Sequence, residues 1–218
     1  RNRHHRRKML AAYRRRNCGV DLTGPLSNSE VDQIHSALNA HGVVFFRDQN
    51  LTPEDQDRFV RCLGEPHVHV GGKSTASKPV DGYPALRKQH FDENSARISG
   101  EAWHTDQSCA EIPPKYSVLY QEIIPPDGGG DTMFLSAAKA YDELSDSMKA
   151  YLDGKTAFHN ADVAFDASVT KDNKETHLVA EHPIVITHPE NGREVLYVNP
   201  YFTRHIKDVP EDESRAIL

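Results

Sequence analysis

The sequence has no apolar run approaching the roughly 18 residues that a membrane-crossing helix requires. It has no internal repeat, which sets solenoid and propeller architectures aside. Cysteine is scarce: Cys18, Cys62 and Cys109 are an odd set with no CxxC spacing. That excludes a disulfide framework as the source of stability and favours reduced thiols in a cytoplasmic setting. The charged opening RNRHHRRKML is not followed by the apolar stretch that a secretory leader carries. Hydrophobic residues make up only 37% of the 218 positions, a low share that still supplies a core at this length.

Charge is unevenly spread. Residues 1–18 hold eight Lys or Arg and no acid, so the net charge of −6 leaves about −14 on residues 19–218. A basic tail can touch nucleic acid or anionic lipid, but a disordered or artificial extension is the plainer reading. The acidic body argues against a nucleic-acid-binding domain, and no membrane association is expected.

Local signals place several elements. SNSEVDQIHSALNAHG predicts a helix with a Ser27/Glu30 capping box, an apolar stripe of Val31, Ile34 and Leu38, and a stop at Gly42. LTPEDQDRFVRCLG predicts a second, capped by Thr52 with Pro53 in its first turn and Phe59 and Leu63 facing inward. VVFFRD, YSVLYQEII and TMFL are strand candidates. SAAKAYDELSDSMKAYLDG predicts two short helices, opening at Ser136 and Ser145 and closing at Gly154. HPIVITHPENGREVLYVN predicts a hairpin around Pro189-Glu190-Asn191-Gly192, and DVPEDESRAIL a further helix. Residues 66–100 lack apolar periodicity, and 71–99 is expected to be an irregular loop or lid. The sum is an α+β domain.

Two imidazoles and one carboxylate form the facial triad of non-haem Fe(II) oxygenases. A His-x-Asp pair on a strand would put both side chains on one face, because strand side chains alternate. With 13 His and 18 Asp, about one such pair arises by chance. There are two, His90-Phe91-Asp92 and His104-Thr105-Asp106, and His188-Pro189-Glu190 adds a His-x-Glu. The spacing does not choose among them, although His188 sits at a predicted turn and His104 leads into an apolar stretch.

DLTGPLS, HGVVFFRDQNLTPEDQ, LGEPHVH, WHTDQS, GGGDTMF, AYDELS and HPIVITHPENGREVLYVNPYFTRHI occur in that order. Together they resemble the taurine dioxygenase family, which includes 2,4-dichlorophenoxyacetate dioxygenase and alkylsulfatases, over residues 19–218. The resemblance implies a double-stranded β-helix (jelly-roll) core flanked by helices. It implies an Fe(II)- and 2-oxoglutarate-dependent dioxygenase that uses O₂ to hydroxylate a small anionic substrate (a sulfonate such as taurine, a sulfate ester or a carboxylate), with succinate and CO₂ as co-products. By resemblance His104 and Asp106 are iron ligands, Thr132 meets the distal carboxylate of 2-oxoglutarate, His69 meets the substrate's anionic head, and Phe202 lines its pocket. Asp106, where related halogenases hold Gly or Ala, implies hydroxylation. A homo-oligomer, dimer or tetramer, is expected.

Two departures accompany the resemblance. Gly72 and Gly100 stand where the taurine enzyme has a Tyr and an Asn that touch taurine, so taurine itself is a weaker expectation. In the family the second His ligand follows the His-x-Asp pair by more than the 112 residues that remain after Asp106. The third ligand and the Arg that pairs with 2-oxoglutarate are therefore expected beyond Leu218, with the C-terminal part of the jelly-roll missing, and the 218-residue chain alone is expected to bind Fe(II) weakly and turn over little. The alternative is a non-catalytic jelly-roll binding protein without a complete iron triad; a zinc hydrolase using the same pair is a third reading.

Overall fold

The computed structural model describes residues 19–69, 77–95, 100–126, 128–161 and 179–218. The basic segment 1–18, Gly72 and His177 lie outside the described residues. The chain divides into two compact units. One runs to Pro66 and includes Val118–Leu135; the other comprises His67–Ser117 and Ser136–Leu218.

The first unit is organised by two capped helices. Helix α1 (Asn28–His41) starts where Ser27 Oγ accepts from the Glu30 amide and Glu30 returns its carboxylate to the Ser27 amide. It stops at Gly42, whose φ of +75° lets its amide bond back to Leu38 O at 2.7 Å. Helix α2 (Pro53–Leu63) repeats the device with Thr52 and Asp55. Leu22, Ile34 and Phe59 form the buried centre, and Phe46 packs edge-on against Phe59 at 5.5 Å. The Tyr120 hydroxyl accepts from the Leu51 amide and donates to Gln49 O, which ties segment 118–124 to the turn before α2.

The strand expectations for this unit are corrected. VVFFRD, YSVLYQEII and TMFL take part in no ladder among the described residues. Their β-branched and aromatic content favours extended backbone, but a strand is defined by a paired neighbour, which composition does not supply. Apolar side chains here stay open to solvent, Leu119 at 69% and Ile123 at 75%.

The second unit contains the sheets. Strands β1 (Ser77–Val80) and β2 (Tyr83–Gln89) form an antiparallel hairpin, so this part of 71–99 is not irregular. The signal was Asp81-Gly82, with Gly82 at φ +80°. Pro79 and Pro84, both disfavoured in strands, obscured it. Helices α3 (Ala137–Asp142) and α4 (Asp146–Leu152) begin at the Ser136 and Ser145 caps. Strand β3 (Thr156–Asn160) lies between β4 (Val179–Pro183) and β7 (Thr203–Ile206), all antiparallel. Strands β5 (Val185–Thr187) and β6 (Glu194–Leu196) make the predicted hairpin, and helix α5 (Glu211–Ile217) ends the chain. The core joins Leu152, Ala157, Ile184, Ile206 and Val209. Ala157 and His159 alternate onto the buried face of β3, so a histidine lies on the inner side of the central strand.

Candidate metal centre

The stretch from Gly100 to Ala110 belongs to no ladder, so strand alternation is not what aligns His104 with Asp106. Local hydrogen bonding aligns them. His104 Nδ1 lies 2.8 Å from Ala102 O. A carbonyl can only accept, so Nδ1 carries a proton, and in the neutral ring Nε2 is the nitrogen that keeps its lone pair for a metal. Nε2 is 3.3 Å from Asp106 Oδ1. The other Asp106 oxygen accepts a hydrogen bond from Ser117 Oγ. An imidazole nitrogen and a carboxylate oxygen thus converge on one point with their remaining atoms already held. Both the donor types and the fixed tautomer fit a divalent first-row metal. Among the described residues no group of three or more metal-ligating side chains comes together; the pair is the unit present.

Without a metal, each member favours the other's charged form. The hydrogen bond that a protonated His104 Nε2 donates to Asp106 holds the His104 pKa above its ordinary value, against the opposing effect of burial. The bond to His104 lowers the Asp106 carboxyl, aided by Ser117 and by the nearby charge of His69.

The rival pairs serve local turns. Asp92 Oδ1 accepts from the Asn94 amide and from Ser95 Oγ, closing a loop. His188 Nδ1 accepts from the Glu190 amide within the β5–β6 turn, and Glu190 pairs with Lys115. Of the three spacings, only His104/Asp106 aims two donors at each other.

The remaining predicted residues are placed as follows. His69 lies in the same unit as the pair and close enough to act electrostatically on Asp106. Phe202 is 3% exposed and packs with Cys109 and Ala161, its ring edge-on to His104 at 6.5 Å. Tyr201, not singled out from sequence, is nearer to His104 at 5.2 Å and less buried. Thr132 belongs to the other unit, in an exposed, unladdered segment.

Gly100 has a specific steric role. A Cβ there would meet His104 Cε1 at 3.3 Å and Nε2 at 3.9 Å, and the residue has φ +84°. Gly100→Ala should therefore cost about 1–2 kcal/mol of stability from the left-handed backbone and displace the imidazole from Asp106. Urea unfolding and Mn(II) titration of the variant check the two effects separately.

Sequence reasoning missed a buried polar cluster beside the pair. Ser108 and His159 are fully buried, with Asn199 and Thr203 nearly so. Ser108 Oγ is 3.0 Å from His159 Nδ1 and accepts from Asn199 Nδ2 at 3.1 Å. His182 Nε2 lies 3.0 Å from Ala110 O, anchoring the far end of the same turn. The available signal was the run Gln107-Ser108-Cys109-Ala110 directly after the His-x-Asp pair, which carries no distinctive spacing.

Comparison with known proteins identifies the architecture. A crystal structure of a taurine dioxygenase from Burkholderia xenovorans superposes with a TM-score of 0.70 at 36% identity, covering 91% of this chain and 64% of that one. The chain therefore has the α+β jelly-roll fold of these oxygenases. A family model described as taurine catabolism dioxygenase TauD, TfdA family matches residues 6–218, and the chain belongs to that family. An alpha-ketoglutarate-dependent sulfonate dioxygenase of Saccharomyces cerevisiae is 30% identical over 92% of the chain, and an alkylsulfatase of Acinetobacter baylyi is 31% identical over 85%. The chain spans 50% of the first relative and 60% of the second. Among the described residues no helix is long and apolar enough to cross a membrane.

Proposed function

We propose that the protein is an Fe(II)- and 2-oxoglutarate-dependent dioxygenase that hydroxylates a small anionic substrate, releasing succinate and CO₂. The observation that carries the reading is the convergence of His104 Nε2 and Asp106 Oδ1, with the imidazole tautomer fixed by Ala102 O, in a chain of this family. The relatives' names, sulfonate dioxygenase and alkylsulfatase, support an anionic sulfur-containing substrate.

In this reading His104 and Asp106 supply two of the three protein donors of a facial site. When bound, the iron supplies the oxidative chemistry with O₂ and 2-oxoglutarate. The chain's own residues orient and exclude. Ser117 holds one Asp106 oxygen, so that the carboxylate offers the other. Tyr201 and Phe202 wall one side of the His104 ring. His69 is assigned to the substrate's anionic head, and its positive form would pair with a sulfonate or sulfate oxygen. Thr132 is assigned to the distal carboxylate of 2-oxoglutarate on the family resemblance. Phe202 is assigned to the pocket wall, where its burial makes it a support for Tyr201. The free thiols of Cys62 and Cys109 suit a cytoplasmic setting.

The test is succinate formation from 2-oxoglutarate with Fe(II) by the full-length protein, across a panel of alkylsulfonates, alkyl sulfate esters and aryloxy carboxylates. Succinate is expected to rise with at least one anionic member and to require Fe(II). An iron-loaded protein that forms none across the panel overturns the reading.

A further inference from the structure

Between Asp106 and Ser108 the chain passes through Gln107 at φ +49°, a left-handed conformation that a non-glycine residue holds only when its neighbours fix it. What fixes it is Ser108, whose side chain is fully buried against partners distant in sequence. Asn199 Nδ2 donates to Ser108 Oγ at 3.1 Å. Asn199 Oδ1 accepts from the Phe202 amide at 2.8 Å, and the Asn199 amide donates to Thr203 Oγ1 at 2.8 Å. His159 Nδ1 closes the group, 3.0 Å from Ser108 Oγ and 3.4 Å from Thr203 Oγ1. One amide side chain therefore joins the turn that carries His104 and Asp106 to the backbone that carries Tyr201 and Phe202, the two rings that flank His104.

We propose that Asn199 and Ser108 form a positioning clamp that sets the geometry of the His104/Asp106 pair against its aromatic wall. The proposal rests on the reading of that pair as metal donors. Neither clamp residue is one of the proposed metal donors. Ser108 fixes the direction in which the chain leaves Asp106, and Asn199 fixes Ser108 relative to Phe202. Outer residues that orient ligands typically change metal affinity about 10- to 100-fold when removed.

The test is Mn(II) affinity, followed by the loss of the free-ion paramagnetic resonance signal, with a melting curve for every variant. Ser108→Ala and Asn199→Ala should each weaken Mn(II) binding about tenfold. The double variant should be little worse than the weaker single, because the two share one hydrogen bond. Ser108→Ala removes a single oxygen and serves if Asn199→Ala does not fold. Leu152→Ala, which opens the core at α4, should lower the melting temperature and leave Mn(II) affinity unchanged. That contrast separates positioning from general destabilisation. Clamp variants that melt lower but bind Mn(II) as wild type does, while His104→Ala does not bind, overturn the clamp alone. Wild-type protein that binds no Mn(II), or His104→Ala that binds it fully, overturns the metal reading and the clamp with it.

Discussion

In the full-length protein Asp106→Asn should reduce iron-dependent turnover of 2-oxoglutarate about 100-fold or more, a loss at least as large as removing an outer ligand-orienting group, while leaving the fold nearly as stable as wild type. The substitution keeps the size of the side chain and an oxygen for Ser117 to bond, but removes the negative charge. A neutral amide is a poorer donor to a hard divalent cation than a carboxylate, and it no longer draws the His104 imidazole through a charged hydrogen bond. The stability cost is small because the Asp106 side chain is 48% exposed, and solvent-screened ion pairs contribute about 0–1 kcal/mol. Asp106→Ala should lose the same activity and also release Ser117. Metal affinity, succinate yield and melting temperature measured together check the prediction. An Asp106→Asn protein with wild-type turnover would remove Asp106 from the metal site.

The second large effect concerns acid. The contribution of His159 to stability should be level above about pH 6.5 and fall as the pH drops from there towards 4. The imidazole is fully buried on β3. Burial, followed by the charges of His182 and Arg204, pushes its pKa down to about 4 from 6.5. The unfolded chain therefore takes up a proton at this residue below pH 6.5, while the folded chain does not until about pH 4. Acid pulls the equilibrium towards unfolding across that window. The groups facing His159 are Ser108 and Thr203 at Nδ1, with His182 edge-on at 5.3 Å and the tilted ring of Tyr197 at 5.7 Å. Among the described residues its Nε2 has no hydrogen-bond partner, so a charged ring would hold an N–H there without an acceptor. The shift corresponds to roughly 3–4 kcal/mol at full development. Urea unfolding of wild type and His159→Asn at pH 7.5, 6, 5 and 4.5 measures it: the difference between the two proteins should change steeply with pH only below 6.5. A parallel pair of curves would show that His159 does not control the acid limit. Asp55, with its carboxyl lowered to about 2 by Thr52 and Arg58, acts only at more acidic pH and does not confuse the comparison.

The two effects differ in how far the sequence revealed them. His104 and Asp106 were visible as one of three His-x-acid spacings, and ordered family motifs singled them out. His159 was visible only as a histidine in TAFHN, a five-residue strand with little apolar content and so no recognisable period. Its burial follows from β4 and β7 pairing on either side of it, and β7 begins 43 residues after β3 ends.

By itself the sequence determined what is decided within a few residues. The Ser27/Glu30 box, the Thr52 cap, the Ser136 and Ser145 starts and the Gly192 turn each involve groups at most four positions apart, and each formed as the local chemistry requires. The tertiary structure decided partnership. Among the described residues it left VVFFRD, YSVLYQEII and TMFL without ladders, gave Asp92 and His188 to turns, and joined Ser108 to Asn199 across 91 residues. The physical reason is that a cap or a turn is satisfied by its own backbone. A strand, a buried imidazole or a positioned ligand is satisfied only by groups that folding brings from far along the chain.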